Sequence, residues 1–557
     1  MEGCRIVSIE NRFTGEKFVD ADLIKDIPAM EMHHISKECY RVDGRSEEIN
    51  YRKLSDNTIE IMVSAWDADA SIRITADEET GDILLEPSLY SIMTGVMSLR
   101  FIISGIRRDL QLAAPFQQGV MLPMDNELLK DTYAEWPYNW EAGIVVLQGR
   151  NSGFSVQAWD SHFKPKSLQL GYQDDPFCVG FDSCAYGPLD KNQTIGGFSW
   201  RISVHEGSWK VPAARYREWM WKAYNLKRVV DGQAEWMNQI RLAVSWCPLN
   251  RHFLDAIAKK VHPSKVLLHV PDWRVHKYDQ DYPTFIASPE GAEFINYARG
   301  MGYHVLPHCN AYQISPDHPL FFKAINFSAK HVRTRRLMGW GIIPDGHAYK
   351  NIGPANGYTS ILNNKDTNIL VNIHPGFSPW RNELVYQIRR MSEELKLDGV
   401  FIDVTHIIYN ADNSIVENLT YPEGALKLIH EVRSVKSGFA VGGEARNEIN
   451  AQFLSFSQLH LFKYAHNDHM RHKSVDWLLN AAIPFSQFLF EGLSRGIGYY
   501  YGVNGHEEGT RIMVEVSERV GAIPTIIINR SDRTADAADI INNPDSIIRG
   551  ILERASS

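Results

Sequence analysis

Hydrophobic and polar residues change their rhythm part-way along this chain. Up to about residue 205 they alternate in short stretches. Thr58-Ile59-Glu60-Ile61-Met62-Val63 and Ser71-Ile72-Arg73-Ile74-Thr75 turn every second side chain to one face, and Glu79-Thr80-Gly81-Asp82 supplies a turn after them. Met97 to Ser104, Gly143 to Leu147, Gly153 to Ala158 and Gly197 to Val204 read as further strands. Many short strands with Gly, Asn and Asp between them predict an antiparallel β-sandwich over residues 1–205.

Near Gly207-Ser208-Trp209 the period lengthens. Ala213 to Lys227 has helical spacing, with Tyr216, Trp219, Met220 and Tyr224 on one side, so residues 206–237 are expected to hold a linking helix that packs as a seam between domains.

From about residue 238 short apolar runs alternate with helix-like segments, the pattern of βα units. The strand candidates are Leu242 to Trp246, Val266 to Val270, His304 to Pro307, Ile369 to Ile373, Gly399 to Val404, Phe439 to Gly443, Leu459 to Tyr464, Ile483 to Phe490 and Ile523 to Ile528. Ser288-Pro289, Ser378-Pro379 and Thr420-Tyr421-Pro422-Glu423 carry helix-start signals. A TIM-like (β/α)8 barrel over residues 238–557 follows, with one candidate too many; Ile369 to Ile373 reads as an insertion. The fold class is therefore multidomain, all-β followed by α/β.

Composition narrows the picture. The 557 residues exceed one core, and 58 basic against 67 acidic residues with no basic stripe argue against a nucleic-acid partner. Aromatic residues reach 11%, which suits either a β-rich core or faces that stack sugar rings. The N-terminus MEGCRIVSIENRFTGEKF has no apolar segment of signal-peptide length and no stretch spans a membrane, so a soluble, cytoplasmic protein is expected. Six scattered cysteines lack metal-ligand spacing; Cys178 and Cys184 are close in sequence, but free thiols are expected.

The chemistry gathers at the strand ends. Val400 to Ile402 is a bare apolar run ending on Asp403, at the rim where a β/α barrel builds its active site, although the stretch alone equally suits a turn cap. Glu444 ends a strand 41 residues later, about one βα unit, hence on the neighbouring strand. Two carboxylates so placed can lie ~5 Å apart, as a retaining glycosidase needs for its nucleophile and its acid/base. Gly442-Gly443 before Glu444 would let backbone approach a ligand closely. Asp272, Trp273, His308, Asn310, His466 and Asp468 follow other strands and are candidates for holding ring hydroxyls, with Trp273, Tyr278 and Tyr312 as sugar platforms or loop anchors. The barrel histidines offer an alternative, a metal-dependent hydrolase, but there is no HExxH and the first strand lacks His-x-His. No cofactor and no metal are expected.

The barrel half resembles the retaining α-glycoside hydrolases related to endo-α-N-acetylgalactosaminidases, including bacterial proteins described only as glycoside-hydrolase-like. Val305-Leu306-Pro307-His308-Cys309-Asn310-Ala311, Asp398-Gly399-Val400-Phe401-Ile402-Asp403 and Gly443-Glu444 carry the resemblance. It implies a galactose-mutarotase-like sandwich before the barrel, a nucleophile at Asp403, a general acid/base at Glu444 and substrate binding by His308 and Asn310. The chain lacks the additional carbohydrate-binding modules and export signal of the larger mucin-degrading members, which favours small imported oligosaccharides or glycosides. The expected function is hydrolysis of α-linked galactose- or N-acetylgalactosamine-type sugars with retention; a metal-dependent hydrolase and a non-catalytic glycan-binding protein on a glycosidase scaffold are the alternatives.

Overall fold

A computed structural model describes residues 3–36, 39–42, 48–65, 68–127, 129–276, 278–340, 370–408, 410–460, 477–499, 507–528, 541–542 and 547–556. They fall into two units, Met1–Tyr224 with Asn410–Ser414, and Asn225–Tyr409 with Ile415–Ser557.

The first unit is an antiparallel sandwich. Among the described residues its larger sheet has ten strands, running in space from Val120–Pro123 through Gln111–Ala114, Ile144–Gln148, Ser152–Gln157, Trp200–Glu206, Ile83–Ser91, Ala68–Ala76 and Thr58–Ala65 to Glu48–Lys53, with Thr194–Ile195 beside Ile83–Ser91. The second has six: Thr132–Glu135, Lys166–Tyr172, Asp175–Cys184, Val96–Ile103, Met30–His34 and Cys39–Val42. The sheets face each other across aromatic rings. Trp140 and Trp200 stack at 6.4 Å, and the Trp200 indole N–H donates to Ser183 Oγ of the smaller sheet at 3.1 Å.

Cys178 and Cys184 sit on one strand, Asp175–Cys184, six residues or ~20 Å apart along it, and both thiols are free. The helix expected at Ala213 spans Lys210–Ala223, and its aromatic stripe packs on the first unit. The Tyr216 hydroxyl accepts from the Gly143 backbone N–H at 3.1 Å, and Trp219 stacks on Trp159 at 5.7 Å.

The second unit contains a parallel barrel whose strands we number β1 Leu242–Ser245, β2 Val266–Val270, β3 His304–Asn310, β4 Gly399–Asp403, β5 Ala440–Glu444, β6 Phe456–Leu459, β7 Arg495–Gly498 and β8, which comes in two pieces, Ala522–Ile523 and Thr525–Ile527. Each pairs in parallel with the next. Pro524 divides β8, which lacks a ladder N–H there; Ala522–Ile523 pairs with β7, and Thr525–Ile527 pairs with β1 and closes the ring.

Two strands differ from expectation, and the surplus candidate falls where the insertion was expected. Ile483 to Phe490 contains a helix, Phe485–Phe490, and the true strand is the glycine-rich Arg495–Gly498, whose single large apolar residue leaves no readable pattern. Leu370–Asn372 joins a small antiparallel sheet with Gln313–Ile314 and Gly339–Trp340, so the surplus candidate is the insertion. β6 ends at Leu459, and residues 461–464 of the expected strand lie outside those described.

The helix starts follow their sequence signals. Ser288 caps Pro289–Met301, and Thr420 and Glu423 form a reciprocal capping box on Tyr421–Arg433. No helix among the described residues is long and apolar enough to cross a membrane.

Strand alternation decides what faces the barrel interior. Ala243, Leu267, Leu306, Phe401, Ala440, Phe456, Ile497 and Ile523, one from each strand, meet in a single apolar cluster. Two residues further along, the same face carries Ser245, His269, His308, Asp403, Gly442 and Gln458. An apolar floor thus supports a polar layer toward the C-terminal rim, where βα barrels carry their chemistry.

Candidate active site

Asp403 and Glu444 end adjacent strands. Ile402 lies opposite Gly443 in the parallel register, so the next residue on each strand is a carboxylate. Phe401 and Ala440 belong to the interior cluster, and alternation turns Asp403 and Glu444 to the same side. Asp403 is partly exposed, whereas Glu444 is buried.

The chain leaves both strands through the left-handed region, at Val404 (φ 56°) and Ala445 (φ 51°). That conformation is costly for a β-branched residue, about 1–3 kcal/mol. Hydrogen bonds to β5 hold it. The Val404 N–H donates to Glu444 Oε2 at 3.1 Å, while Thr405 Oγ1 accepts from the Glu444 N–H at 2.9 Å and donates to its carbonyl at 3.1 Å.

Histidines surround the glutamate. His460 Nε2 lies 3.0 Å from Oε1, and His406 Nδ1 lies 3.5 Å from Oε2. The His460 ring stacks on Tyr499 at 4.5 Å, which fixes its plane. Around the aspartate, the Tyr278 hydroxyl donates to Oδ2 at 3.2 Å, and His308 Nε2 stands 3.7 Å from the same oxygen. Burial, with the Asp403 charge added, pushes the Tyr278 phenol well above its usual range, so it stays a protonated donor.

The other expected residues divide. His308 joins the Asp403 cluster and is buried. Asp272 is exposed on the loop after β2. Trp273 is fully buried with its indole N–H donated to the His308 carbonyl at 2.9 Å, so its ring offers no open face and anchors β3 instead of a sugar. Tyr312 is likewise fully buried. Asn310 is spent on its own turn: its Oδ1 accepts from the N–H groups of Tyr312 and Gln313, and its amide donates to Gln313 Oε1 at 2.8 Å. His466 and Asp468 lie outside the described residues.

Gly442 and Gly443 serve internal packing, where close approach to a ligand was expected. A Cβ on Gly443 would stand 2.6 Å from Thr405 Oγ1, and one on Gly442 would stand 2.9 Å from the Phe401 ring. Thr405, Ser245 and Gln458 escaped sequence reasoning. Counting two residues on from each interior apolar position finds the last two.

The rim histidines do not assemble as a set around one point among the described residues. His308 alone joins Asp279 and Asp403, each offering one ligand atom within 4.8 Å of the others.

Residues 197–501 match the family described as "Domain of unknown function (DUF6259)". The chain belongs to that family. The DUF6259 region takes in β1 to β7 and both carboxylates. A comparison with curated proteins gives no match. Among solved structures, the DUF6259 chain is similar to ligand-free α-N-acetylgalactosaminidase NagBb from Bifidobacterium bifidum, with a TM-score of 0.64 and 10% identity over 96% of this chain and 88% of that one. The same enzyme in its GalNAc complex gives a TM-score of 0.59 at 11% identity, over 89% and 88% of the two chains. At such identities the likeness is one of fold, a β-sandwich followed by a barrel as in that glycoside hydrolase, and it does not extend to kinship with endo-acting enzymes.

Proposed function

We propose that this protein is a retaining glycoside hydrolase acting on α-linked galactose- or N-acetylgalactosamine-type sugars. The observation that carries the reading is the pair Asp403 and Glu444, on facing register positions of neighbouring strands at the C-terminal rim. The fold likeness to an α-N-acetylgalactosaminidase directs the choice of sugar.

In this mechanism the Asp403 carboxylate attacks the anomeric carbon as the glycosidic C–O bond breaks and Glu444 gives its proton to the leaving oxygen. Water then attacks the same carbon, its proton returns to Glu444, and the ester to Asp403 breaks. The two groups sit in different settings, as the two roles require. Asp403 is partly exposed beside Tyr278, and Glu444 is buried between two imidazoles. Asp272, His466 and Asp468 keep the proposed role of holding ring hydroxyls, His308 is buried against Asp403 instead, and Trp273 and Asn310 shape the rim from within.

A panel of nitrophenyl α- and β-glycosides, with NMR of the first-formed sugar, tests this reading. It expects cleavage of an α-galactoside-type substrate with the α-anomer appearing first. Cleavage of β-linked members alone, or the β-anomer first, overturns it. A metal-dependent hydrolase has one observation in its favour, the Asp279, His308 and Asp403 group. Activity abolished by a chelator and restored by a divalent metal would select that alternative.

A further inference from the structure

We infer that His269 and His308 form a positioning pair that fixes an imidazole N–H toward Asp403; the inference rests on Asp403 being the nucleophile. Both rings are buried, in the polar layer directly above the apolar floor. His269 Nδ1 faces donors: the Trp246 backbone N–H at 3.5 Å, the Gln458 amide nitrogen at 3.5 Å and the Ser245 hydroxyl at 3.3 Å. Ser245 Oγ itself accepts from the Gln458 amide at 2.7 Å, which leaves its proton for the histidine.

A ring nitrogen that accepts from a backbone N–H carries no proton. The proton of neutral His269 is therefore on Nε2, 3.1 Å from His308 Nδ1. His308 Nδ1 must accept it, so His308 carries its own proton on Nε2, the nitrogen 3.7 Å from Asp403 Oδ2. That spacing is longer than a hydrogen bond, a near contact of the kind that catalytic groups often close only in the reacting complex.

Phe401 holds the ring planes from below, 4.1 Å from His269 and 5.9 Å from His308 between centroids. The Trp273 indole fixes the His308 carbonyl. With the Tyr278 hydroxyl, two N–H or O–H donors then face one oxygen of Asp403 and aim the carboxylate. The same tautomer removes the Nε2 lone pair that a metal at the Asp279, His308 and Asp403 group would need.

Long-range ¹H–¹⁵N correlation spectra of the full chain labelled in its histidines, with His269→Gln and His308→Gln used for assignment, read the tautomers without turnover. Both rings are expected neutral with the proton on Nε2; a proton on Nδ1 of His308 overturns the inference. Kinetics then follow on an activated aryl α-galactoside. His269→Leu, which lacks a donor, is expected to slow formation of the glycosyl-enzyme about 10-fold or more with KM little changed. His269→Gln, which keeps an N–H near the Nε2 position, should recover most of that rate. An unchanged rate in a folded His269→Leu protein contradicts the pair's role. An active Asp403→Asn enzyme would defeat the nucleophile assignment and leave the tautomer result to stand or fall alone.

Discussion

The backbone N–H of Val404 donates to Oε2 of Glu444 at 3.1 Å, so the residue after one proposed catalytic carboxylate holds the other. The left-handed turn at Val404 makes this possible, and Thr405 fastens it by bonding both backbone groups of Glu444. Backbone strain at a strand end is in this way converted into a fixed relation between two acids.

Thr405→Val keeps the shape of the turn and removes the hydroxyl. It leaves a buried N–H and a buried carbonyl without that partner, a loss of about 2–3 kcal/mol. Thermal melting should fall accordingly, and kcat should fall more than KM rises, because the two carboxylates lose their register. Wild-type kcat in a destabilised Thr405→Val protein would show that the turn serves stability alone.

Trp273 is a core anchor in this account. Trp273→Ala should cost about 3–5 kcal/mol of stability, as truncation of a buried aromatic does. Trp273→Phe should cost less and leave KM for a small aryl glycoside near wild type. A raised KM with an unchanged melting temperature would return the ring to a sugar-stacking role.

Within the sandwich, Glu31 gathers partners from several strands. Burial alone would raise its pKa, but hydrogen bonds from His33 and Tyr172 and the Arg100 charge hold it at about 2, below its ordinary 4.5. His33 is disfavoured as a cation by burial, yet its contacts with Cys39 and Glu31 raise it from 6.5 to about 9. The Glu31 contribution is present above pH 4.5 and fades as the pH falls through about 2. The His33 contribution is present below pH 6.5 and fades as the pH rises through about 9. Melting of the protein across pH should show both losses, the acidic one worth up to about 3 kcal/mol. Glu31→Gln should flatten the acidic arm and weaken the alkaline one; an unaltered profile contradicts the coupling.

Much of this arrangement was legible in the sequence, for a physical reason. Thr58–Ala65 alternates its buried side chains, while Val266–Val270 is buried throughout and Gly399–Asp403 is buried up to its terminal carboxylate; the alternation and the bare apolar runs are both visible in the letters. β7 was missed because Gly496 is there for close packing, where a Cβ would stand 2.7 Å from Leu459, so no apolar run advertises the strand. The carboxylates declared themselves by ending apolar runs. Their supports did not: Thr405, Ser245 and Gln458 are ordinary polar residues that acquire meaning only when separate strands bring them together. Trp273 misled because a tryptophan flanked by charges looks exposed, whereas its indole N–H had a buried carbonyl to satisfy.

The central claim is that Asp403 becomes covalently bonded to the sugar. Its most direct test is to trap the intermediate with a fluorinated α-galactosyl fluoride and locate the added mass by peptide mapping. The account predicts one equivalent of sugar on the peptide containing Asp403, and none after Asp403→Asn. A label on any other residue, or turnover of the reagent by Asp403→Asn at the wild-type rate, would contradict it.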